Sequence, residues 1–556
     1  MAFDGIITKA LIQEFQNTII GARVNKIFQP NKSEISFNLY NQKNYMLDIC
    51  IHPDYYRMCF TQYTKTNPTN AMNFCMLLRK YLNSSKITNI QSYDLDRIIC
   101  IDFEGSNELK DTLNFHLIIE LMGRRSNIIL LNDKNYIIDS IKHIITSDRE
   151  ILPAREYVKP VSIKKSFLDL SYFNEFYNII SQEYYDDLIT HLSNIFTGFS
   201  STFISNVFDE LGIDSSTKDI NELEEIYNYI KNLIKHFGTE YISAKRLEKD
   251  YTIELATSET SLNYFIDQFY HDKEIEDIFI NAKSTLSKLI LSSLKKSSKK
   301  LENINQKLKS CNNMEKYKLY GELLTANLYK FHGNFATSEI SVENYYDNNN
   351  LVTIPLDTSI SYSKNAERFF KKYNKLKNTL AIVSTQKKET ELELEYIESI
   401  IYSLSSAKTL EDIEEIHNEF TENVQMKKYN YKSFQKVNSD KNIGNNLNKI
   451  VINNYDVYIG KNNKQNDYLS LHFADKSDIW FHAQGFHGAH VILKTNGKNP
   501  DEDTLFKCAL LAKQNCKAAL EKNVSVDYTY IKYVKKHPNG KTGMVNYTNY
   551  KTIIVP

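Results

Sequence analysis

The chain has 556 residues, of which 42% are hydrophobic and 24% are charged. A chain of this length is expected to contain several domains, and its composition is that of a folded protein, not of a disordered one. Its 68 basic and 68 acidic side chains give a formal net charge of zero, which excludes a uniformly basic nucleic-acid coat but leaves room for local basic patches.

Membrane, secreted and disulfide-stabilised proteins are not favoured by the sequence. No run approaches the ~18 apolar residues that a membrane-spanning helix needs. The amino end carries an acid at Asp4 and lacks the basic segment and cleavage site of a secretory signal. The 7 cysteines include no C-x-x-C pair, so neither a disulfide framework nor a cysteine zinc site is predicted. We therefore expect a cytoplasmic protein with no membrane association.

Residues 1–165 are predicted to form an α+β domain. Helical segments near 3–20 and 69–83 accompany short apolar runs of strand character, which lie at 45–51, 97–104, 115–121 and 127–131. Residues 152–160 begin and end near prolines, Pro153 and Pro160, and are predicted to lead out of this domain.

Residues 166–275 are predicted to be helical. Short amphipathic helices break at Gly198 and at Gly212. A glycine between two such helices suits a helix–hairpin–helix unit, and it suits any other helical bundle equally well.

Residues 276–435 are predicted to form an antiparallel coiled-coil hairpin with a small insert at 325–365. Apolar side chains recur at alternating steps of four and three in both arms. They include Ile290, Leu294, Leu301, Ile304 and Leu308 in the first arm, and Phe369, Leu376, Val383, Leu394, Ile397 and Leu404 in the second. Only Lys387 and Thr390 interrupt the apolar seam of the second arm.

Charge supports the antiparallel pairing of the two arms. Residues 283–300 carry six lysines and no acid, whereas 389–398 carry five glutamates and no base, so opposite charges would lie side by side. Near the tip, lysines meet lysines: Lys307, Lys309, Lys316 and Lys318 approach Lys371, Lys372, Lys375 and Lys377. A basic tip suits a polyanion such as ribosomal RNA, and an ordinary solvated surface is the alternative.

Residues 445–556 are predicted to form a compact α+β module. Two strands around a polar turn at 460–467 precede a strand–loop–strand unit at 478–494, a helix over 501–521 and closing strands. Residues 528–556 contain no acid, and tyrosines interleave with Lys532, Lys535, Lys536, Lys541 and Lys551. Lysines neutralise phosphates and aromatic faces stack on bases, so an RNA-binding surface is predicted, with a lysine-protected sheet edge as the alternative.

Three histidines, His482, His487 and His490, lie within nine residues of one another and suggest a transition-metal site. Their spacing does not match the helical zinc motif, so buried or RNA-facing histidines are the preferred interpretation. No phosphate-binding loop, dinucleotide fingerprint or nucleophile elbow occurs in the sequence. We therefore predict no metal, no cofactor and no catalytic residue.

Asp96 directly precedes Arg97 where a strand is predicted to begin. By default such a pair is a surface ion pair. Alternatively, the planar guanidinium binds a phosphate or a base edge, while the carboxylate accepts from an amino group or a ribose hydroxyl. The local sequence leaves both interpretations open.

Several segments, in one order along the chain, resemble those of the NFACT family. They are MAFDGIITKALIQEF at the amino end, NFCMLLRKYL at 73–82, DRI at 96–98, ELMGRRSNIILL at 120–131, YGELLTANLY at 320–329, LDTSISYSKNAERFFKKYNKLK at 356–377, GKNNKQND at 460–467, DIWFH at 478–482 and GMVNYTNYKT at 543–552. Each is modest alone, but together they cover essentially the full chain. The resemblance is to the bacterial RqcH type, which is often labelled fibronectin-binding protein A.

The resemblance implies an NFACT-N domain at 1–165, a helix–hairpin–helix region at 166–275, a coiled coil with a middle insert at 276–435 and an NFACT-R domain at 445–556. It also implies a ribosome-associated quality-control factor that binds large ribosomal subunits carrying peptidyl-tRNA. Such a factor recruits charged tRNA, chiefly alanyl-tRNA, and directs mRNA-independent alanine tailing of the nascent chain for degradation. The ribosome makes the peptide bonds, so the factor is not an enzyme. A small RNA-binding partner of the RqcP type is implied as well.

The same resemblance implies roles for single residues. Asp96 and Arg97 match the family's Asp-Arg motif, which binds tRNA near the anticodon. Asp4 matches an acidic residue that acts with this motif, and Arg124 is expected on the same tRNA-binding surface.

In the NFACT-R part, the family's characteristic segment is matched by Trp480, His482 and His490. His487 departs from the family pattern, which commonly reads Pro-Gly-Ser-His here, and this departure further weakens the metal interpretation.

Two other functions were weighed. The older family label suggests a surface adhesin that binds fibronectin, but the absent secretory signal and the odd number of cysteines argue against it. A non-catalytic RNA-binding scaffold, with the coiled coil as its functional part, is the other alternative.

Overall fold

The computed structural model describes residues 3–106, 112–239, 242–248, 250–255, 261–331, 336–423, 447–538 and 540–556. The chain divides into two units, Met1–Glu276 and Asp277–Pro556, and each has hydrophobic cores of its own. The predicted boundary between the coiled coil and the last domain, at 436–444, lies outside the described residues.

The first unit starts with helix α1 (Gly5–Ile19) and continues into one large antiparallel sheet. The elements are β1 (Arg23–Asn31), β2 (Glu34–Asn41), β3 (Lys43–Cys50), β4 (Arg57–Phe60), α2 (Asn73–Leu82), β5 (Lys86–Ser92), β6 (Ile98–Ser106), β7 (Thr112–Glu120), β8 (Asn127–Asn132) and β9 (Ile137–Ser140), followed by the short pair β10 (Ile144–Ile145) and β11 (Glu150–Ile151). The sheet order is β4-β3-β2-β1-β5-β6-β7-β8-β9. This architecture confirms the predicted α+β fold class.

The sheet buries apolar side chains on both faces because its strands alternate. In β6, Ile99 and Ile101 belong to the main core beside α1, whereas Ile98 and Cys100 belong to a smaller cluster on the opposite face. Successive side chains of a strand point to opposite faces. The main core also includes the apolar side of α1, for example Phe15.

Edge strand β4 is covered by the beginning of helix α7 (Leu262–Cys311). The side-chain amide of Asn263 accepts from the backbone amide of Phe60 at 2.6 Å and donates to its carbonyl oxygen at 3.0 Å. Buried Arg57 forms ion pairs with Asp48 at 3.3 Å and with Glu274 at 2.9 Å. These contacts satisfy an edge that would otherwise be open to pairing with another chain.

Four helices follow the sheet: α3 (Phe173–Ile180), α4 (Leu188–Ile195), α5 (Ser201–Leu211) and α6 (Ile220–Lys235). Gly198 lies between α4 and α5, and Gly212 ends α5 with a φ of 68°, as the predicted helix breaks require. The prediction of helix up to residue 275 was wrong in one place, because β12 (Ile242–Arg246) and β13 (Tyr251–Leu255) form an antiparallel hairpin. Buried Tyr251 and Ile253 attach this hairpin to the main core.

The second unit contains the predicted helical hairpin. Its elements are the later part of α7, α8 (Met314–Ala326), β14 (Glu339–Asn344), β15 (Asn350–Pro355), α9 (Tyr362–Ser406) and α10 (Leu410–Asn423). Antiparallel pairing is confirmed by cross-helix contacts at the base, where the Lys283 amine donates to the carbonyl oxygens of Ser405 and Ala407 at 3.0 and 3.1 Å. Further along, the Ser297 hydroxyl donates to the Glu393 carboxylate at 3.1 Å.

The predicted heptad positions lie on the buried side of α9. One of the two polar residues that interrupt the apolar pattern, Thr390, is buried with them. Val383, Thr390, Ile397 and Leu404 are all buried. Thr390 fits because its hydroxyl donates to the carbonyl oxygen of Gln386 at 2.7 Å, so its polar group is satisfied within the helix.

The tip of the hairpin is a small core of its own. Leu323 and Leu324 of α8 pack with Val342 and Ile354 of the β14–β15 pair and with Phe369 of α9. The insert is shorter than predicted, because α8 continues the first arm as far as Ala326.

The last domain is built on a six-stranded antiparallel sheet of order β16-β17-β19-β18-β20-β23. Its elements are β16 (Asn448–Ile452), β17 (Tyr455–Ile459), α11 (Asn463–Tyr468), β18 (Ile479–Ala483), β19 (Val491–Leu493), α12 (Glu502–Gln514), β20 (Val524–Tyr530), β21 (Val534–Lys536), β22 (Val545–Tyr547) and β23 (Lys551–Val555). The strand–loop–strand unit at 478–494, the helix within 501–521 and the closing strands are confirmed.

The predicted polar turn at 460–467 was wrong. The turn between β16 and β17 is at Asn453 and Asn454, both with positive φ, and residues 463–468 form α11. The polar side chains of α11 bind acids of α10: Asn463 donates to Glu419 at 2.9 Å and Gln465 to Glu415 at 2.9 Å. Because α11 packs through polar side chains and has no apolar face, its sequence resembles that of a polar turn.

None of the helices that the structure describes combines the length and apolar character needed to cross a bilayer.

Ile400 provides a test of the hairpin base. It is fully buried in the core formed by α7, α9 and α10, whereas Ile382 in the same helix is 59% exposed. We expect Ile400→Ala to lower the free energy of unfolding by about 2–5 kcal/mol and Ile382→Ala to change it by less than about 0.5 kcal/mol. Hydrogen exchange of the α9 amides measures the difference, and equal exchange in the two variants would contradict this packing.

Candidate nucleic-acid interface

Two glycines allow three segments of the first unit to meet. An ideal Cβ on Gly5 would lie 1.7 Å from the carbonyl oxygen of Leu95, and one on Gly198 would lie 2.1 Å from the same oxygen. The amide of Gly5 donates to the carbonyl oxygen of Gly198 at 3.1 Å. Only residues without a Cβ permit this approach. The turn between β5 and β6 is thereby held against the start of α1 and the segment between α4 and α5.

Asp4 caps helix α1 at this junction. One carboxylate oxygen accepts from the amide of Ile7 at 3.0 Å, and the other accepts from the hydroxyl of Ser200 at 2.6 Å. Burial raises the pKa of Asp4 to about 6, although these hydrogen bonds and the positive charge of Arg97 oppose the rise. Asp4 is only 6% exposed, so its contacts are with the fold.

Asp96 and Arg97 lie in the turn that the glycines hold. The Asp96 carboxylate accepts from the backbone amide of Arg97 at 2.7 Å, and the guanidinium donates to the hydroxyl of Tyr56 at 3.4 Å. Burial raises the pKa of Tyr56, which keeps this hydroxyl neutral. The pair is therefore not a simple ion pair, because the carboxylate orders the turn while the half-exposed guanidinium is held by a neutral partner.

The loop at 158–166 carries lysines and contacts the turn that holds Arg97. The Lys159 amine lies 4.6 Å from the centre of the Tyr93 ring, and Ser166 donates to the Asp94 carboxylate at 2.7 Å. The pKa of exposed Lys164 is lowered, first by partial burial of its amine and then by the charge of Arg97. We call Arg97, Lys159, Lys164 and the Tyr93 ring the Arg97 patch. The sequence analysis did not foresee its lysines because they lie more than sixty positions from Arg97 along the chain.

Arg124 is exposed in the short turn between β7 and β8. Its neighbour Gly123 has a φ of 60°, and a Cβ there would lie 4.0 Å from the Tyr56 ring. Because Tyr56 also contacts Arg97, the turn that carries Arg124 lies near Arg97. The role of Arg124 stays a prediction of the resemblance, which did not name Tyr56 or Ser200.

The lysines of the hairpin tip lie on both arms. The Lys372 amine of α9 is 5.1 Å from the centre of the Tyr317 ring of α8, and Lys316 is 5.4 Å from that of Tyr320. Lys318 has an acidic neighbour, Glu322, at 3.9 Å. The remaining predicted lysines of the tip are all exposed: Lys307, Lys309, Lys371, Lys375 and Lys377.

The lysines near the carboxyl end divide into two groups. Lys532, Lys535 and Lys536 are exposed, and the Lys532 amine lies 5.0 Å from the centre of the Tyr533 ring. Lys541 instead donates to the carbonyl oxygen of Asn423 at the end of α10 at 3.4 Å. Lys536 lies 3.9 Å from an Asp467 oxygen, so Lys532 and Lys535 are the lysines most available to a polyanion, whereas Lys541 has a structural contact.

Two histidines of the last domain, His482 and His490, pack together beside Trp480. The rings of His482 and His490 are 5.3 Å apart, and that of His490 is 5.1 Å from the ring of Trp480. His490 Nδ1 is 2.7 Å from the Ser470 hydroxyl. His487 Nε2 lies 3.8 Å from a Glu398 oxygen.

Among the described residues, one group brings three possible metal ligands together: Cys100, Asp102 and His116. Their atoms bind each other, since Asp102 Oδ1 lies 3.2 Å from Cys100 Sγ and 2.6 Å from His116 Nδ1. Burial and the Asp102 charge raise the pKa of the Cys100 thiol. The three side chains form a hydrogen-bonded cluster.

Substitution of Gly5 tests the junction. We expect Gly5→Ala to prevent folding of the first unit or to lower its free energy of unfolding by more than about 4 kcal/mol, because a methyl group would overlap the Leu95 carbonyl. Gly212→Ala is the control, since Gly212 has open space around it, and its own positive φ should cost only about 1 kcal/mol. Urea unfolding measures both, and an equal loss in the two variants would contradict the close approach.

The raised pKa of Asp4 predicts a pH dependence. The folded state binds this proton more tightly than the unfolded state, because the pKa rises from 3.8 to about 6. The free energy of unfolding should therefore fall by up to about 3 kcal/mol as the pH rises from about 4 to about 6. Asp4→Asn keeps a capping oxygen but has no such proton, so this part of the fall should disappear.

The control for Asp4→Asn is Asp219→Asn, at the exposed N-cap of α6. Urea unfolding at several pH values should give a profile parallel to that of the unchanged protein. An unchanged slope in Asp4→Asn would show that Asp4 does not bind the proton.

Comparison with known proteins gives matches along nearly the whole chain. The family model described as NFACT N-terminal and middle domains matches residues 4–439, and the one described as NFACT protein RNA binding domain matches residues 449–549. The Rqc2 homolog RqcH of Bacillus subtilis (strain 168) is 32% identical over 585 aligned residues, which cover 100% of this chain and 98% of that protein. The Rqc2 homolog RqcH of Streptococcus suis is 31% identical over 100% of this chain and 98% of that protein.

A solved structure, the N-terminal part of the fibronectin/fibrinogen-binding protein from Streptococcus suis, is 28% identical and covers 49% of this chain and 100% of that one. Its TM-score of 0.42 is too low to support a conclusion about shared architecture. The two family models together leave few residues unmatched. The chain therefore belongs to the NFACT family.

Proposed function

We propose that this protein is a ribosome quality-control factor that binds tRNA through the Arg97 patch and binds the large ribosomal subunit. The subunit is one that still carries peptidyl-tRNA after a stalled round of synthesis. The protein supplies charged tRNA, chiefly alanyl-tRNA, for a carboxyl-terminal alanine tail that is made without mRNA and marks the chain for degradation.

The observation that carries the tRNA part is the geometry around Arg97. The guanidinium is half-exposed, is held by the Tyr56 hydroxyl and has Lys164 and Lys159 on the adjacent loop. A planar guanidinium flanked by cations suits phosphate and base edges of an RNA loop. Asp4 takes part indirectly, because it is buried and orders the start of α1 beside this turn.

The neutral net charge is compatible with this function because the positive charge is local. Lysines cluster at the Arg97 patch, at the hairpin tip and in the strands near the carboxyl end, where Lys532, Lys535 and Lys536 are exposed. Each such cluster can neutralise phosphates and release counterions. We assign the last two clusters to ribosomal RNA.

In the alanine-tailing reaction, the protein selects the charged tRNA and places it on the ribosome. The ribosome forms the peptide bonds, so no residue of this chain is assigned a catalytic role. The proposal also includes a small RNA-binding partner of the RqcP type. The proposed function as a whole is supported by the similarity to RqcH along the full chain and by the match to the RNA-binding domain model.

The proposal is tested by the double variant Asp96→Ala, Arg97→Ala. We expect tRNA recovered with the protein from cells to fall at least about tenfold, because both the ordered turn and the guanidinium are lost. Co-sedimentation with large subunits should persist at low salt and disappear at high salt, because phosphate contacts are screened. RNA sequencing of the copurified material measures the tRNA.

The matched control is Glu150→Ala with Arg155→Ala, which removes another acid–base pair of the same domain, 3.0 Å apart and largely exposed. This variant should retain its tRNA. Undiminished tRNA in the Asp96–Arg97 variant, or an equal loss in the control, would remove the Arg97 patch from the proposed function.

A further inference from the structure

The second unit contains a cavity of about 670 Å³ that the proposed function does not use. It lies between helix α9 and the last domain, with Ser403 of α9 on one side and Trp480 and His490 on the other. Cavities of roughly 300–1,000 Å³ are the usual size of sites for small organic groups.

One wall of the cavity is aromatic. Trp480 and His482 are two positions apart in β18, so their side chains point to the same face of the sheet. The centre of the Tyr547 ring lies 4.7 Å from that of the Trp480 ring. The His490 ring stands nearly perpendicular to those of Trp480 and His482, at angles of 78° and 88°. Flat, rigid rings of this kind favour a flat aromatic ligand.

Two ring nitrogens of the cavity wall have no hydrogen-bond partner among the described residues. They are Nε1 of Trp480, a residue that is 0% exposed, and Nδ1 of His537. A buried polar atom without a partner costs about 1–3 kcal/mol, and native structures contain few of them. The indole can only donate a hydrogen bond, so the missing partner at that position is an acceptor.

The lining carries no excess charge. Two acids, Glu395 and Asp412, are balanced by two lysines, Lys408 and Lys461, and Lys461 is 3.3 Å from Asp412. Burial lowers the pKa of His482 to about 4 and that of His490 well below its ordinary value. Both imidazoles are therefore neutral near pH 7, and each has one donor and one acceptor nitrogen. His490 Nδ1 is already bonded to the Ser470 hydroxyl. Such a lining does not favour a free phosphate, which needs excess positive charge.

We propose that this cavity binds a single unpaired nucleobase of the RNA held by the last domain. A nucleobase is flat, uncharged and carries both donors and acceptors on its edge, which matches the aromatic wall, the neutral imidazoles and the unpartnered indole nitrogen. The sugar–phosphate chain stays outside, where Lys408 is exposed at the rim. This inference rests on the RNA binding of the proposed function and adds a second contact, distinct from the Arg97 patch.

The chain offers a direct probe, because Trp480 is its only tryptophan. The full-length protein is titrated with a short unstructured single-stranded RNA that contains all four bases, and the tryptophan emission is recorded. The comparison ligand is a ribose–phosphate oligomer of the same length without bases. We expect a saturable change of emission with the RNA and binding at least about tenfold weaker, with no emission change, for the abasic oligomer.

A matched pair of variants locates the contact. His482→Ala removes a ring from the cavity wall and should weaken the RNA-dependent emission change about tenfold. His472→Ala removes an exposed histidine of the same domain, which is absent from the lining, and should have no effect. Circular dichroism confirms that both variants are folded, and the ligand comparison itself needs no variant.

Two results would overturn the inference. They are an emission that does not change with the RNA, and an equal change with the abasic oligomer. If either occurs while tRNA is still recovered with the unchanged protein from cells, the cavity is not a base site and the proposed function stands. If tRNA is also not recovered with the unchanged protein from cells, both the base site and the proposed function are wrong.

Discussion

The close approach of Gly5, Leu95 and Gly198 is the constraint on which the candidate tRNA site depends. Three segments, from positions near 5, 95 and 198, share one carbonyl oxygen within a distance that no Cβ allows. The turn with Asp96 and Arg97 therefore has little freedom, and the cap of α1 by Asp4 is held beside it. A pre-ordered turn loses less entropy when RNA binds, which favours affinity without new contacts.

Burial has opposite consequences in the two candidate sites. At the junction of the first unit it raises the pKa of Asp4 and makes this residue part of the fold more than of the surface. In the cavity of the second unit it lowers the pKa of His482 and leaves neutral rings. In the proposed function the first site exposes a fixed cation to phosphate, and in the further inference the second presents uncharged edges to a base. Both proposed RNA contacts are local, which agrees with the zero net charge of the chain.

The polar helix α11 shows how the second unit is assembled. Its asparagine and glutamine side chains bind Glu415 and Glu419 of α10, and the Tyr396 hydroxyl of α9 also donates to Glu419 at 2.8 Å. The hairpin base and the last domain are thus joined through buried hydrogen bonds. A buried hydrogen-bond network is stabilising when its members have their partners. This network therefore holds α9, α10 and α11 together beside the cavity.

The sequence by itself determined the features that follow from periodicity and composition. Short apolar runs predicted four strands of the first domain, the four–three spacing predicted the hairpin arms, and the ordered motifs identified the family. These signals are local, so a single sequence carries them. The tertiary structure alone decided what depends on distant residues meeting: the approach of Gly198 to Leu95, the contact of Ser166 with Asp94 in the turn that carries Arg97, and the cavity lined by both Ser403 of α9 and Trp480. Segments more than sixty positions apart leave no periodic trace of their contact, which is why these pairs were not predicted. The hairpin β12–β13 is a local pair that the prediction of helix in this region missed.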